Sequence, residues 1–256
     1  FDSDGKIRRW KTPTTKYQHQ GGTFDRFRSP SGMFYGWVHL SNKDGTGRDI
    51  SVCEIDGPDR SLKVDERSTG SNEHHAITDN GRYFLSSDDA REHISIWDIN
   101  LGQRVAQTPY PGDDCSIGWL ITLPERNCAA AVLRDDDNDK QIDEVVVWDL
   151  PSGKVRRSWR YENVQSLVAT HDGASLAVLF KNSEGDSREK FRLEFVHIDD
   201  GSVVHQLAVS AVPDTRGDRS PCFSLSHDGT CVAIQNETQD RLDIWDLKTE
   251  KFQTSF

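Results

Sequence analysis

Short apolar runs separated by turn residues recur along the chain, and within each run apolar and polar positions tend to alternate. Runs of this length and pattern are typical of β-strands. In the clearest stretch, the Asn80-Gly81 step favours a tight hairpin, because both residues tolerate positive φ. This stretch predicts four antiparallel strands, at residues 76–78, 82–86, 93–99 and 103–107.

The third of these strands carries apolar residues on both faces. Alternate residues of a strand point to opposite sides, so Ile94 and Ile96 share one face while Trp97 and Ile99 share the other. A strand that is apolar on both faces is buried between two layers. The same pattern at 145–150 and 242–247 predicts stacked sheets, with the large Trp side chains filling the gaps between them.

The pattern repeats around three Trp-Asp pairs, Trp97-Asp98, Trp148-Asp149 and Trp245-Asp246. Aligned on these pairs, the equivalent positions Trp10, Cys53, Trp97, Trp148, Val196 and Trp245 are 43, 44, 51, 48 and 49 residues apart. The hairpin step recurs as Ser31-Gly32, Asp172-Gly173 and Asp228-Gly229, with a weaker version at Asn127. A period of this length indicates one small sheet per repeat, stacked against its neighbours.

We therefore predict an all-β fold, a β-propeller of four-stranded antiparallel blades, with five complete blades and a partial N-terminal one. Residues 1–256 form a single propeller region. Because 1–22 offers only the outer half of a blade, we expect the chain to be the later part of a longer propeller of seven or eight blades. The predicted boundaries are a partial blade at 1–22 and blades at about 23–68, 69–112, 113–162, 163–212 and 213–256.

These units resemble WD repeats, the four-stranded blades of one family of β-propellers. The resemblance covers nearly the whole chain and depends on the three Trp-Asp pairs and the Asn-Gly and Asp-Gly hairpin steps. The Gly-His dipeptide that usually opens a unit of that family is absent from the sequence, and two units lack the Trp-Asp pair. The resemblance therefore implies a divergent propeller, in which the family's buried hydrogen-bond network from His to Trp is incomplete.

The composition limits the classes of partner. With 31 Lys and Arg against 42 Asp and Glu, the formal charge is −11. Nucleic acid and anionic membranes both require a positive field, so we expect neither as a partner. The cluster Lys154, Arg156, Arg157 and Arg160 falls on an outer strand, where solvated charges protect an exposed edge. The longest apolar stretch, 128–133, is far too short to cross a bilayer.

Five cysteines, Cys53, Cys115, Cys128, Cys222 and Cys231, lack the spacing of a metal site. We interpret them as reduced core thiols, which indicates a cytoplasmic compartment.

Binding residues are expected in the connections between second and third strands, which vary most and leave the propeller on one rim. The candidates there are Asp88, Asp89, Arg91, Lys140, Lys181 and Arg188. One connection also holds Asp135, Asp137, Asp139 and Asp143, whose one, three, five, nine spacing is that of calcium-binding loops. Lys140 stands where such loops carry a bending Gly, so a solvated acidic hairpin tip is the competing interpretation.

The sequence offers little for catalysis. His171 and His227 each precede Asp-Gly, but their repeated placement in hairpins indicates a role in turns. Residues 149–154 resemble the Asp-x-x-Thr-Gly-Lys turn of quinoprotein dehydrogenase propellers, yet Arg157 stands where those carry a Trp. We predict no catalytic residue and no cofactor, and a non-enzymatic platform for other proteins, either a scaffold subunit or a sensor domain. The alternative is a propeller enzyme of quinoprotein type, with a cofactor or metal in the central channel.

Overall fold

The computed structural model describes residues 25–40, 48–54, 59–64, 74–87, 93–109, 115–135, 142–181, 191–209, 223–226, 228–235 and 242–255. The regular elements in these ranges are β-strands, and they form five antiparallel sheets of four strands each. We call the sheets blades 1 to 5 in chain order.

Each blade contains four strands that follow one another in the chain. Blade 1 consists of β1 (Asp25–Arg28), β2 (Phe34–Leu40), β3 (Arg48–Glu54) and β4 (Asp59–Val64). Blade 2 consists of β5 (His75–Ile77), β6 (Tyr83–Ser87), β7 (His93–Asp98) and β8 (Gln103–Pro109). Blade 3 consists of β9 (Cys115–Thr122), β10 (Cys128–Asp135), β11 (Ile142–Asp149) and β12 (Lys154–Glu162). Blade 4 consists of β13 (Val164–Ala169), β14 (Ser175–Lys181), β15 (Phe191–His197) and β16 (Val203–Val209). Blade 5 consists of β17 (Phe223–Leu225), β18 (Cys231–Gln235), β19 (Leu242–Asp246) and β20 (Lys251–Ser255).

The blades are arranged as a propeller with their first strands innermost. Within every blade the strands are hydrogen-bonded in chain order, so the first strand lies at one edge of the sheet and the fourth at the other. The first strands of consecutive blades contact each other, β1 with β5, β5 with β9, β9 with β13 and β13 with β17. The prediction of an all-β, five-bladed antiparallel propeller is confirmed. The partial blade at 1–22, with Trp10, lies outside the described residues.

Two ends of the propeller follow from this topology. The second and third strands of every blade connect at one end, which we call the loop rim. The first and second strands, and the third and fourth strands, connect at the opposite end, which we call the hairpin rim.

The core lies between the blades. Trp97 and Ile99 of blade 2 pack against Phe27 and Phe34 of blade 1. On the other side of the same blade, Ile94 and Ile96 pack against Trp148 and Leu150 of blade 3. Trp97 and Trp148 are 8% and 1% exposed, so the predicted two-sided burial of the third strand is confirmed for blades 2 and 3. Each Trp fills the gap toward the preceding blade.

Blade 5 is less buried than the blades before it, so the two-sided burial predicted for 242–247 is not found in β19. We call the side of a blade that meets the next blade in chain order its forward face. In blade 2 the forward-face residues Leu85 and Ile96 are buried. The equivalent residues of blade 5, Ala233 and Ile244, are only half-buried, and Ser224 beside them is exposed. Accordingly β18 alternates buried and half-buried residues, whereas all five residues of β6 are buried.

The hairpins between first and second strands share one hydrogen-bond pattern. In blade 2 the hydroxyl of Thr78 donates to Asn80 Oδ1 at 2.7 Å and accepts the backbone N–H of Tyr83 at 3.0 Å. Thr170 with Asp172, and Ser226 with Asp228, repeat this arrangement in blades 4 and 5. Gly32, Gly81, Gly173 and Gly229 then adopt positive φ, as the hairpin step predicts.

The structure differs from the sequence predictions in details of these elements. In blade 3 the residue with positive φ is Glu125, at 53°, and not Asn127, because the hairpin there lacks the Gly and turns one step earlier. The first strand of blade 2 is His75–Ile77, one residue before the predicted one, since Thr78 already serves the turn. The fourth strand runs on to Pro109 because its pairing with β7 continues to His93.

The outer strands carry an irregularity that the sequence analysis did not predict. Opposite the Trp position, the register between third and fourth strands shifts in blades 2, 3, 4 and 5. Such a β-bulge places one extra residue on the outer strand and increases its local twist. The extra residues are Val105, Arg156, Val204 and Gln253.

Candidate interaction surfaces

The loop rim holds the residues that the sequence analysis predicted for binding. Of these, Lys181 is the last residue of β14; it is exposed, and its backbone N–H bonds Asn163 O at 3.0 Å. It therefore stands at the edge of the rim where blades 3 and 4 meet. The remaining candidates, Asp88, Asp89, Arg91, Lys140 and Arg188, lie outside the described residues, as do the loops that contain them.

The acidic connection between β10 and β11 of blade 3 is described only at its two ends. Asp135 ends β10 and Asp143 is the second residue of β11, while Asp137 and Asp139 lie outside the described residues. The side chain of Asp143 is fully buried, and its Oδ2 accepts the backbone N–H of Val164 at 2.5 Å. The carboxylate of Asp143 is thus directed into the junction between blades 3 and 4.

Arg134 completes this junction. Its Nη2 donates to the carbonyl oxygen of Val164 at 3.2 Å, and its Nε lies 3.9 Å from Asp143 Oδ1. Both backbone polar groups of Val164, the first residue of β13, are therefore bound by side chains of blade 3. Gly118 makes room for the guanidinium, because a Cβ there would lie 2.9 Å from Arg134 Nε.

The electrostatics of the junction disfavour a cation at Asp143. Burial raises the pKa of this carboxyl to about 6, although the Val164 N–H and the charge of Arg134 act in the opposite direction. A guanidinium beside the carboxylate also repels a second positive charge. Within the described ranges, no group of three or more His, Cys, Asp or Glu side chains could hold a metal ion.

On the hairpin rim, the Asp residues of the Trp-Asp pairs bond to turns and neighbouring side chains. Asp98 accepts the backbone N–H groups of Asn100 and Leu101 and forms an ion pair with Arg82 at 2.9 Å. Burial raises the pKa of Asp98, but the bonds from Arg82, Leu101 and Asn100 together outweigh burial and leave it below its usual value.

The other two Asp residues have similar roles. Asp149 Oδ1 accepts Arg156 Nε at 2.7 Å, and Asp246 Oδ1 accepts the backbone N–H of Thr249 at 2.7 Å. All three carboxylates of the Trp-Asp pairs therefore have structural partners.

The indole groups of the Trp-Asp pairs differ from the Asp carboxylates in their hydrogen bonding. The Nε1 groups of Trp97, Trp148 and Trp245 are buried and have no hydrogen-bond partner in the described part of the chain. The family-type network from His to Trp thus does not reach these three indoles. The Trp side chains act through packing, as the stacked blades require.

The His residues considered for chemistry are placed in structural surroundings. His171 is exposed on the hairpin of blade 4, and the neighbouring Asp172 accepts the Thr170 hydroxyl and the Ala174 N–H. These bonds, that of Thr170 first, lower the pKa of Asp172. His227 lies outside the described residues.

A charged chain across blades 3 and 4 was not anticipated from the sequence. Arg156, which the sequence analysis took as a solvated edge charge, bonds Asp149 in its own blade and Asp199 in blade 4, the latter at 3.2 Å. Arg126 joins the same Asp199 at 3.2 Å. The one hint in the sequence is the acidic turn between the third and fourth strands of blade 4, which contains Asp199 and Asp200. Arg157 similarly donates to Asp200 O at 3.0 Å.

The thiols of the described residues are consistent with a core role. Cys53 and Cys128 are buried and Cys231 is half-buried, and none of the three forms a disulfide. The side chains of Cys115 and Cys222 lie outside the described set. The described residues also contain no helix that is long and apolar enough to cross a membrane.

Comparisons with known proteins identify the fold. No protein-family model and no curated protein sequence matches the chain. Among solved structures, the β-propeller domain of Cps50 (Swd1) from Myceliophteria thermophila matches 89% of this chain with a TM-score of 0.53 at 14% identity. The Dos1 propeller matches 92% with a TM-score of 0.59 at 12% identity. Dihydro-heme d1 dehydrogenase NirN matches 93% with a TM-score of 0.54 at 17% identity.

These structures are longer than the matched region. The chain spans 66% of the Cps50 domain, 58% of the Dos1 propeller and 46% of NirN. At these identities the likeness shows the β-propeller fold and nothing further about activity or partners.

Proposed function

We propose that this chain is a divergent WD-type propeller that serves as a non-enzymatic platform for other proteins, as a scaffold subunit or as the sensor domain of a larger protein. The observation that carries the proposal is the hydrogen bonding of five Asp carboxylates. Five Asp side chains, Asp98, Asp143, Asp149, Asp172 and Asp246, each accept a hydrogen bond from a backbone N–H or from an Arg side chain, so they serve the fold. The blades pack on one another in chain order, and their connections between second and third strands differ in sequence on one rim, an arrangement suited to recognition.

The net charge and the cysteines indicate the class of partner and the compartment that we propose. A chain of formal charge −11 favours basic or neutral protein partners over nucleic acid and membranes. Reduced cysteines fit a cytoplasmic compartment.

The enzyme alternative has one observation in its favour, the fold likeness to NirN, whose structure holds DHE. An enzyme of that kind would carry a chromophore or metal in the central channel. An absorption spectrum and metal analysis of the protein purified from its native source separate the two functions. A stoichiometric chromophore or metal would contradict the platform.

Affinity capture tests whether the loop rim binds partners. The variant Asp137→Lys/Asp139→Lys/Lys140→Glu reverses charges in the acidic loop but spares Arg134 and Asp143, whose contacts hold blades 3 and 4 together. Lys248→Glu, at an exposed turn of the hairpin rim, is the control for a charge reversal away from the loop rim. We expect the loop variant to lose proteins that the wild type and the control both retain. Equal capture by all three chains would place binding away from this loop.

A further inference from the structure

The outer strands of the five blades differ in how their free edges are protected. An edge strand presents backbone N–H and C=O groups that other chains can pair with, unless charged residues or Pro block the approach. Outer strand β16, with the sequence Val-Val-His-Gln-Leu-Ala-Val, contains no Asp, Glu, Lys, Arg or Pro. The other four contain blocking residues: Asp59, Arg60 and Lys63 in β4, Arg104 and Pro109 in β8, Lys154, Arg156, Arg157, Arg160 and Glu162 in β12, and Lys251 in β20.

The geometry of β16 leaves most of this edge regular. Its bulge lies at Val204, and from His205 to Val209 it pairs with β15 without interruption. Val203 and Val204 are 51% and 57% exposed, so two adjacent apolar side chains of this strand face solvent. Leu207 points into the core between blades 4 and 5 and anchors the strand.

The charges decide between the candidate occupants of this edge. A second copy of the chain would bring another formal charge of −11 toward the first, which opposes self-association. An added strand with charged residues would place them beside Val204 and Ala208, which carry no charge, while Glu250 of blade 5 already lies 3.8 Å from His205 Nδ1 of β16. An uncharged extended segment of another protein meets neither penalty.

We infer that the outer edge of β16 is a docking edge for an extended, uncharged segment of a partner protein, which adds to blade 4 as a fifth strand. In this mode main-chain hydrogen bonds supply the affinity and alternate side chains supply the specificity. The inference deepens the proposed function, because it rests on the chain being a platform and names a second surface, distinct from the loop rim.

The test uses the full chain and a synthetic probe. The probe is a peptide of seven alternating Thr and Val residues with a Lys at each end. The control peptide carries N-methyl groups on all seven residues. Because an added strand pairs through its backbone N–H groups, the control should bind roughly tenfold or more weakly than the probe. Hydrogen exchange should show new protection in β16 and none in β8 or β12.

Each other result would overturn the inference. These are no saturable binding of the probe, equal binding of the probe and the N-methylated peptide, and protection on another strand. A chain that dimerises without the probe and protects β16 would assign the edge to a second copy instead. Because the probe is synthetic, a failure here leaves the capture result at the loop rim unaffected, so the two proposals fail separately.

Discussion

At the scale of single residues, buried polar side chains hold the blades in place. Asp143 is the clearest case, since it is fully buried and yet keeps a pKa of about 6. From the sequence it was a candidate ion ligand, because spacing alone cannot tell which carboxylates of an acidic stretch face inward. The two-sided burial of Trp97 and Trp148, in contrast, could be predicted, because it depends only on the alternation along a strand.

Asp143 predicts a dependence of stability on pH. Its pKa in the folded protein is above the ordinary value of 3.8, so the folded state binds the proton more tightly. Its contribution to the free energy of unfolding is therefore full below about pH 4 and is lost as the pH rises through 6, by on the order of 2 kcal/mol. Urea unfolding of the wild type and of Asp143→Asn from pH 4 to 7 measures this contribution. The variant should show a flatter profile, and identical profiles would contradict the assignment.

The hydroxyl at the hairpin predicts a second effect. Thr78 is buried and makes bonds to Asn80 and Tyr83 that Val cannot make. We expect Thr78→Val to lower the free energy of unfolding by about 1–3 kcal/mol, because the backbone N–H of Tyr83 loses its acceptor, the hydroxyl oxygen of Thr78. Thr78→Ser is the control and should lose less, since it keeps the hydroxyl. Equal losses in the two variants would assign the effect to packing of the methyl group.

At the scale of elements, the hairpins differ in how closely they pack against the preceding blade. A Cβ on Gly173 would lie 2.1 Å from the carbonyl oxygen of Pro124 in blade 3, whereas a Cβ on Gly229 would meet no atom within 4 Å. Both glycines have positive φ, at 63° and 67°. The Asp-Gly signal in the sequence predicts the turn in both hairpins, but it carries no information on the contact, which depends on the neighbouring blade.

Substituting Ala for each of these two glycines separates the cost of positive φ from the cost of the close contact. Gly229→Ala should cost about 1 kcal/mol, the penalty for positive φ alone. Gly173→Ala should cost roughly 1–3 kcal/mol more, because the chain must shift to relieve the contact with Pro124. Thermal and urea unfolding of the two variants provide the comparison. A similar cost for both would show that the hairpin of blade 4 adjusts freely.

At the scale of the whole molecule, the fold follows from the repeat, since the period and the two-faced third strands both require stacked sheets. The sequence does not reveal how unequal the blades are. Blade 5 has a half-buried β18, while the corresponding strands of blades 2 and 4 are buried almost throughout. This difference arises from what packs beside each blade and therefore cannot be read from the repeat itself.

The inequality predicts a gradient of local stability. Amides of β18 should exchange with solvent faster than those of β14, because fewer buried contacts oppose the opening of blade 5. Hydrogen exchange followed by mass spectrometry on the chain measures both strands in one experiment, with β6 as a further reference. Equal protection in β14 and β18 would contradict the prediction.

The junction between blades 3 and 4 has a consequence for cutting and rejoining the chain. A single residue, Asn163 with φ of 58°, links β12 to β13, whereas five residues separate β8 from β9 and thirteen separate β16 from β17. Arg134 and Asp143 hold the residue that follows this short link. A flexible segment inserted within 110–114 or 210–222 should leave the fold intact, while one inserted at Asn163 should free the start of β13 and lose the register of blade 4.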